Sequence, residues 1–232
     1  MNPWNDVLLQ CPLFLQMSES DIDKIIQCFS IRPSVHPADD YIITTGMQVN
    51  SVFIILKGSV EVIKETYAGN RHILVNLGPS QIFAEGIVCT RQRISPVTVR
   101  TKEETILYRF PYIKLMTTCS NACGFHAKLI FNMMMLLGNK NYHLNQKMEL
   151  LMIKGMREKI ATFLLQEHQK NQSTKFHIEM NRNELADYLN VSRPSMSREL
   201  GRMQEEGLLS FHKNSFQLLD LDRLQLCIEK DG

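Results

Sequence analysis

Apolar residues change their period twice along the chain, and each change marks a new kind of element. Between Ser18 and Phe29, Ile22, Ile25, Ile26 and Phe29 recur at helical intervals behind a serine, which predicts a short amphipathic helix capped by Ser18. From Tyr41 to about Phe110 the pattern shortens to β-rich runs: YIIT, SVFIIL, VEVIK, HILVNL, VTVR and TILYRF. Gly46, Gly58, Gly69-Asn70 and Gly78-Pro79 punctuate them. Short strands spaced this evenly predict an antiparallel sandwich or barrel. Tyr67-Ala68-Gly69-Asn70 is the expected hairpin tip, since glycine and asparagine tolerate positive φ.

Beyond Phe110 the period is helical. No proline interrupts Asn121 to Ile153, where Cys123, Ile130, Leu137, Leu144 and Leu151 fall every seven residues with Met133, Met134 and Met148 beside them. Such a helix could bury itself against its own sheet. Lys140, Asn141, Asn145 and Lys147 near the stripe favour a wet seam between two chains instead. The expectation is a parallel homodimer joined along Ile130, Met133, Leu137, Leu144 and Leu151.

After Gly155, Ile160, Ala161, Phe163, Leu164 and Leu165 mark a further helix, and KFHIEM reads as a short strand. Asn181 and Glu184 form a capping-box pair at the start of the next helix. That helix must end at Asn190, because asparagine enters left-handed backbone space cheaply. Small Ala186 lets a second helix cross close by; Ser192 caps it, Met196, Leu200 and Met203 bury inward, and Gly207 ends it. The pattern is a helix-turn-helix. Its second helix turns Arg193, Ser195, Ser197, Arg198 and Arg202 outward. Arginine can donate two parallel hydrogen bonds to a guanine edge in the major groove, which makes this helix the expected reader of DNA. LLSFHKNSFQLLD then predicts a two-stranded wing turning at His212-Lys213-Asn214. Lys213 at its tip and Arg182 at the start of the first helix are the expected phosphate contacts, with Ser192 at the cap beside them.

Composition narrows the class without changing this picture. A chain of 232 residues, 44% hydrophobic and 22% charged, has the make-up of a globular protein and the length for two domains. The net charge is only +2, so DNA binding must rest on local placement. No apolar run, Met133 to Leu137 included, approaches the roughly 18 residues of a membrane span, and the N-terminus has no basic stretch before an apolar block. The expectation is a cytoplasmic protein without a membrane partner. Six cysteines lie scattered without a C-x-x-C pair, which suits free thiols in a reducing compartment.

Two other classes fit less well. A metal-dependent, cupin-like enzyme needs clustered histidines, whereas the β region offers only His36 and His72, far apart. A nucleic-acid-free scaffold would leave the arginines of the second helix without a role. No enzymatic activity is expected.

The runs GMQVNSVFIILKGSVEVIKE, IFAEG and SPVTVR, together with NRNELADYLNVSRPSMSREL, resemble the cyclic-AMP receptor protein and fumarate-nitrate regulator (CRP/FNR) family of bacterial transcription factors over nearly the whole chain. The resemblance implies an α+β architecture. Residues 1–120 would form an antiparallel, jelly-roll-like β-roll that senses an effector, 121–153 the dimerisation helix, and 154–232 a winged helix-turn-helix. It also implies RNA polymerase and an inverted-repeat DNA site as partners. In the reading helix Ser192, Arg193 and Arg198 fill the family's S-R-x-x-x-x-R pattern, but Pro194 stands where a cytosine-contacting Glu is common.

In the β-roll, Glu85, flanked by Ala84 and Gly86, takes the position that contacts ribose in cyclic-AMP binders. Ser95-Pro96 replaces the Arg-Ser pair that holds the cyclic phosphate. Losing that charge-assisted contact argues against cyclic AMP. Arg91 and Arg93 nearby keep another anionic effector open. The iron-sulfur branch needs an N-terminal cysteine cluster, and only Cys11 and Cys28 are offered; Cys119 and Cys123, with His126 one turn on, form a possible redox couple, though two cysteines on one helix face are more commonly core. Haem ligation through His36, His72 or His126 is weaker still. No cofactor is expected.

Overall fold

A computed structural model describes residues 2–66, 71–117 and 124–228. The chain divides into two compact units, Met1–Lys140 and Asn141–Gly232. The expected hairpin tip at Tyr67 to Asn70, and both Cys119 and Cys123, lie outside the described residues.

The first unit opens with α1 (Asn5–Leu9), a 3-10 turn (Pro12–Phe14) and α2 (Glu19–Phe29). Ser18 caps α2 as expected. Its Oγ accepts the Asp21 N–H at 3.2 Å, while the Asp21 carboxylate accepts the Ser18 N–H at 3.3 Å. The strands that follow are β1 (Pro33–His36), β2 (Tyr41–Ile43), β3 (Ser51–Lys57), β4 (Val60–Glu65), β5 (Arg71–Leu77) and β6 (Ile82–Phe83). The unit continues with α3 (Glu85–Val88), β7 (Thr98–Thr101), β8 (Thr105–Pro111), α4 (Tyr112–Met116) and the first part of α5 (Gly124–Met152), whose residues after Lys140 belong to the second unit. Two antiparallel sheets, ordered β1-β8-β3-β6 and β2-β7-β4-β5, enclose a core in which Phe14, Ile54, Ile55 and Phe110 are fully buried. The six apolar runs became β2, β3, β4, β5, β7 and β8. Gly58 makes the tight β3–β4 turn: its φ is +83°, and a Cβ there would stand 2.5 Å from the Glu104 carbonyl oxygen.

The long helix differs from expectation in which face it buries. Met133 does not lie on a free seam. It is 1% exposed, packed with Leu129 into the core of the first unit, where Leu136 and Leu137 also lean and Ile130 is half-buried. Asn132 adds a polar anchor, donating to the carbonyls of Leu13 and Leu15, each at 2.9 Å. Positions 126, 129, 133, 136 and 140 share one side of an α-helix, and the β-roll takes that side. The sevenfold count followed leucines and could not tell which stripe the sheet would claim. The apolar side chains left open on α5 are Phe131, Met134, Met135, Tyr142, Leu144, Met148, Leu151 and Met152.

The second unit holds α6 (Met156–Asn171), β9 (Lys175–His177), α7 (Arg182–Leu189), α8 (Arg193–Glu205), β10 (Leu209–His212), β11 (Ser215–Leu218) and α9 (Leu221–Leu226). Strand order β10-β11-β9 makes the wing three-stranded, since β9 pairs with β11. The fold class is therefore α+β, with antiparallel sheets, a long helix and a C-terminal winged helix-turn-helix.

Candidate nucleic-acid interface

The turn between α7 and α8 forms by the expected chemistry. Asn181 accepts the N–H groups of Asn183 and Glu184 at 2.9 and 3.1 Å, and the Glu184 carboxylate in turn accepts the Asn181 N–H at 2.7 Å. At the other end Asn190 adopts φ 51° and ψ 53°, and the Val191 N–H closes on the Ala186 carbonyl at 3.0 Å. Ser192 then caps α8 by accepting the Ser195 N–H, with its Oγ 2.8 Å from that of Ser195. Met196, Leu200 and Met203 are at most 1% exposed. Away from that stripe α8 presents Ser197, Arg198 and Arg202 to solvent, with Ser195 half-buried, while Arg193 is exposed as its first residue.

These arginines differ in freedom. Arg193 is exposed in the first turn of α8. Arg198 rests 3.4 Å from the Ser195 Oγ, a contact that leaves most of its donors outward. Arg202 reaches back to Glu199 at 3.5 Å. Lys213 and Asn214 form a two-residue turn between His212 and Ser215, where Lys213 is exposed with φ 51°.

Arg182 departs from its expected role. Its guanidinium stacks over Phe211 and Phe216 of the wing, 4.7 and 4.9 Å from their centroids. Burial shifts its pKa downward, and Nη2 is buried without a hydrogen-bond partner. Cation–π contact with two rings outcompetes exposure here, so this side chain pins the start of α7 to the wing instead of standing out for a phosphate.

Sequence reasoning missed the clamp that fixes α8 from behind. Arg157 on α6 donates from Nε to Glu199 at 2.6 Å and from Nη1 and Nη2 to both oxygens of Glu206, at 2.8 and 2.6 Å. The fork raises the Arg157 pKa and holds the Glu206 carboxyl below its ordinary value. Its signal was present: Glu199 in α8 and Glu206 at its C-cap stand seven residues, two turns, apart on one side. Lys147 was also misplaced by the seam reading. It lies over the Tyr188 ring and donates to the Tyr188 carbonyl in the last turn of α7, with desolvation and then Lys159 lowering its pKa.

Of the six effector candidates, Arg91 and Arg93 line one depression together. Glu85 is buried at the start of α3 after Ala84, whose φ is +69°; Gly86 is exposed. One Glu85 oxygen accepts from Lys140 of α5, and the other is buried without a partner. Lys140 is thus tied to the β-roll rather than to a seam. Ser95 is 1% exposed and committed to its own turn: its Oγ donates to the Val97 carbonyl at 2.7 Å and accepts the Val97 N–H at 3.3 Å. Arg93 lies 4.6 Å over the Tyr112 ring and, with Arg91, Tyr112 and Met116, lines an open depression of about 620 Å³ in which Glu85 takes no part. Among the described residues no cluster of three or more His, Cys, Asp or Glu side chains could hold a metal ion. Nor is any helix among them long and apolar enough to cross a membrane.

Two family models match parts of the chain. Residues 34–122 match the family model of the cyclic nucleotide-binding domain, and residues 158–227 that of the Crp-like helix-turn-helix domain. The transcriptional activator protein anr of Pseudomonas aeruginosa is 26% identical over 227 residues, 95% of this chain and 88% of its own length. The transcriptional activator protein FnrA of Stutzerimonas stutzeri is 26% identical over 90% of this chain and 84% of its own. In fold, the chain is similar to the Thermus thermophilus catabolite activator protein: the TM-score is 0.53 at 20% identity, covering 95% of this chain and all of that one.

Proposed function

The chain belongs to the CRP/FNR family of transcription regulators, and from that footing we propose that it acts as a homodimer on an inverted-repeat DNA site, under control of a small effector other than cyclic AMP. It is a regulator that binds DNA, not an enzyme.

The observation that carries the DNA-reading role is the two-sided α8. Met196, Leu200 and Met203 anchor one side, while Ser197 and Arg198 on the other and Arg193 at the helix start leave hydrogen-bonding groups exposed. Arg193 and Arg198 would donate to base edges, with Arg202 and Ser195 beside them. Ser192 and Lys213 would meet phosphates, which position the protein without specifying sequence. Pro194 has no group to accept from a cytosine, so the preferred half-site differs from that of relatives with a carboxylate there.

The open side of α5, from Phe131 to Met152, supports pairing with a second copy. Two reading helices held by a symmetric pair suit half-sites one helical turn apart, about 34 Å. In the β-roll, Lys140 already occupies Glu85, and Ser95 is spent on its own turn. With Ser95-Pro96 in place of the Arg-Ser pair, a cyclic phosphate would meet neither the cation nor the hydroxyl it needs. An effector acts only through unequal affinity for the two arrangements of the dimer. RNA polymerase is the partner such a regulator would engage.

Selection from random duplex DNA, followed by gel-shift titration, tests the reading. It should return an inverted repeat with half-sites one turn apart; enrichment of no sequence, or of a single unrepeated half-site, would oppose it.

A further inference from the structure

One pair of reactive side chains takes no part in the regulator reading. Cys28, the next-to-last residue of α2, is exposed, and its Sγ lies 3.8 Å from Nε2 of His126 in the first turn of α5. The imidazole is 2% exposed and held by two rings: Phe29 at 5.3 Å and Phe125, edge-on, at 4.7 Å. Burial on that side fixes the ring, while the residue that carries the thiol is exposed.

We propose that Cys28 is a nucleophilic thiol, activated by His126 as its base, that reacts with hydroperoxides at the junction of α2 and α5. The step balances as follows. A sulfur lone pair attacks the terminal peroxide oxygen, forming an S–O bond as the O–O bond breaks. The thiol proton passes to Nε2 of His126 and then to the departing alkoxide. Cysteine is oxidised to a sulfenic acid, and the hydroperoxide is reduced to an alcohol.

The other described cysteines lack this combination. Cys11 is buried, and its thiol is pushed up to about 12. Cys89 is exposed, but partial burial and then the Glu85 carboxylate raise its pKa. The half-buried Cys227 donates its thiol hydrogen to the Arg223 carbonyl at 3.3 Å. Desolvation lowers the pKa of His126, so the ring rests neutral, and its 3.8 Å contact with the thiol is what makes it the acceptor. Cys89 is the natural internal control, being exposed in the same chain without an imidazole hydrogen-bonded to its thiol. The inference does not depend on which effector or DNA site the regulator uses.

Timed alkylation of the full chain with iodoacetamide, read by peptide mass spectrometry, tests it. Cys28 should react on the order of tenfold faster than Cys89 in the native protein, and the two rates should converge in urea. His126→Gln should bring the Cys28 rate towards that of Cys89 without changing Cys89 itself. tert-Butyl hydroperoxide with dimedone should leave an adduct on Cys28 in the native chain and far less in the variant. Equal native rates for Cys28 and Cys89, or a folded His126→Gln protein in which Cys28 is as fast as before, overturns the proposal. If the variant does not fold, the native-to-urea comparison alone decides: a ratio that survives unfolding owes nothing to His126.

Discussion

At the scale of the residue, function rests on side chains that are near one another in sequence but held by different partners. Arg198 keeps most of its donors outward over the half-buried Ser195. Its replacement by Ala should cost about 1–3 kcal/mol on the selected site and relax preference at one base pair, measured by competition gel shift. Lys213, exposed at the wing tip, should behave differently. Lys213→Ala should weaken all sequences alike and reduce the salt slope by about one, in a titration of affinity against salt.

The Arg157–Glu206 fork supplies a prediction in pH. Glu206 has a lowered carboxyl pKa in the folded state, so its contribution to stability is complete above the unfolded value of about 4.3 and disappears as pH falls through the folded value. Glu206→Gln should therefore flatten the acid limb of a thermal-stability profile and leave its neutral-to-alkaline limb parallel to that of the unaltered chain.

At the scale of the element, the helix-turn-helix was legible because every one of its signals is local. Capping at Asn181 and Ser192, the left-handed turn at Asn190 and the inward stripe Met196-Leu200-Met203 each depend on residues within one or two turns. Asn190→Val puts a β-branched side chain at φ 51° and should destabilise the second unit by about 1–3 kcal/mol, seen in the denaturant midpoint. The strands of the β-roll were legible for the same reason, each run carrying its own turn residues. Less legible were β1, whose Pro33-Ser34-Val35-His36 carries no apolar run, β6, only two residues long, and the pairing of β9 with the wing, which joins residues some forty positions apart.

At the scale of the whole molecule, the open side of α5 carries the dimer prediction. Tyr142 is 61% and Met148 58% exposed on that helix. Replacing both with Glu should shift the protein to monomers in light scattering. It should also abolish tight binding to the inverted repeat while leaving weak, salt-sensitive binding. Cyclic AMP, titrated calorimetrically into the unaltered protein, should give no saturable heat at micromolar concentrations, since Ser95-Pro96 offers a phosphate no cation and Lys140 already engages one Glu85 oxygen.

The order of the pieces was written in the sequence: a capped helix, a run of short strands, a long helix without proline, and two helices joined at an asparagine. Period and capping are properties of neighbouring residues, so no partner from afar was needed to read them. Which side of α5 meets the β-roll, where Met133, Lys140 and Lys147 point, and that Arg182 lies between two phenylalanines rather than in solvent were decided only by the tertiary structure. Those outcomes depend on which distant surfaces compete for one side chain. Burial, stacking and ion pairing set the winner only once the chain has brought those surfaces together.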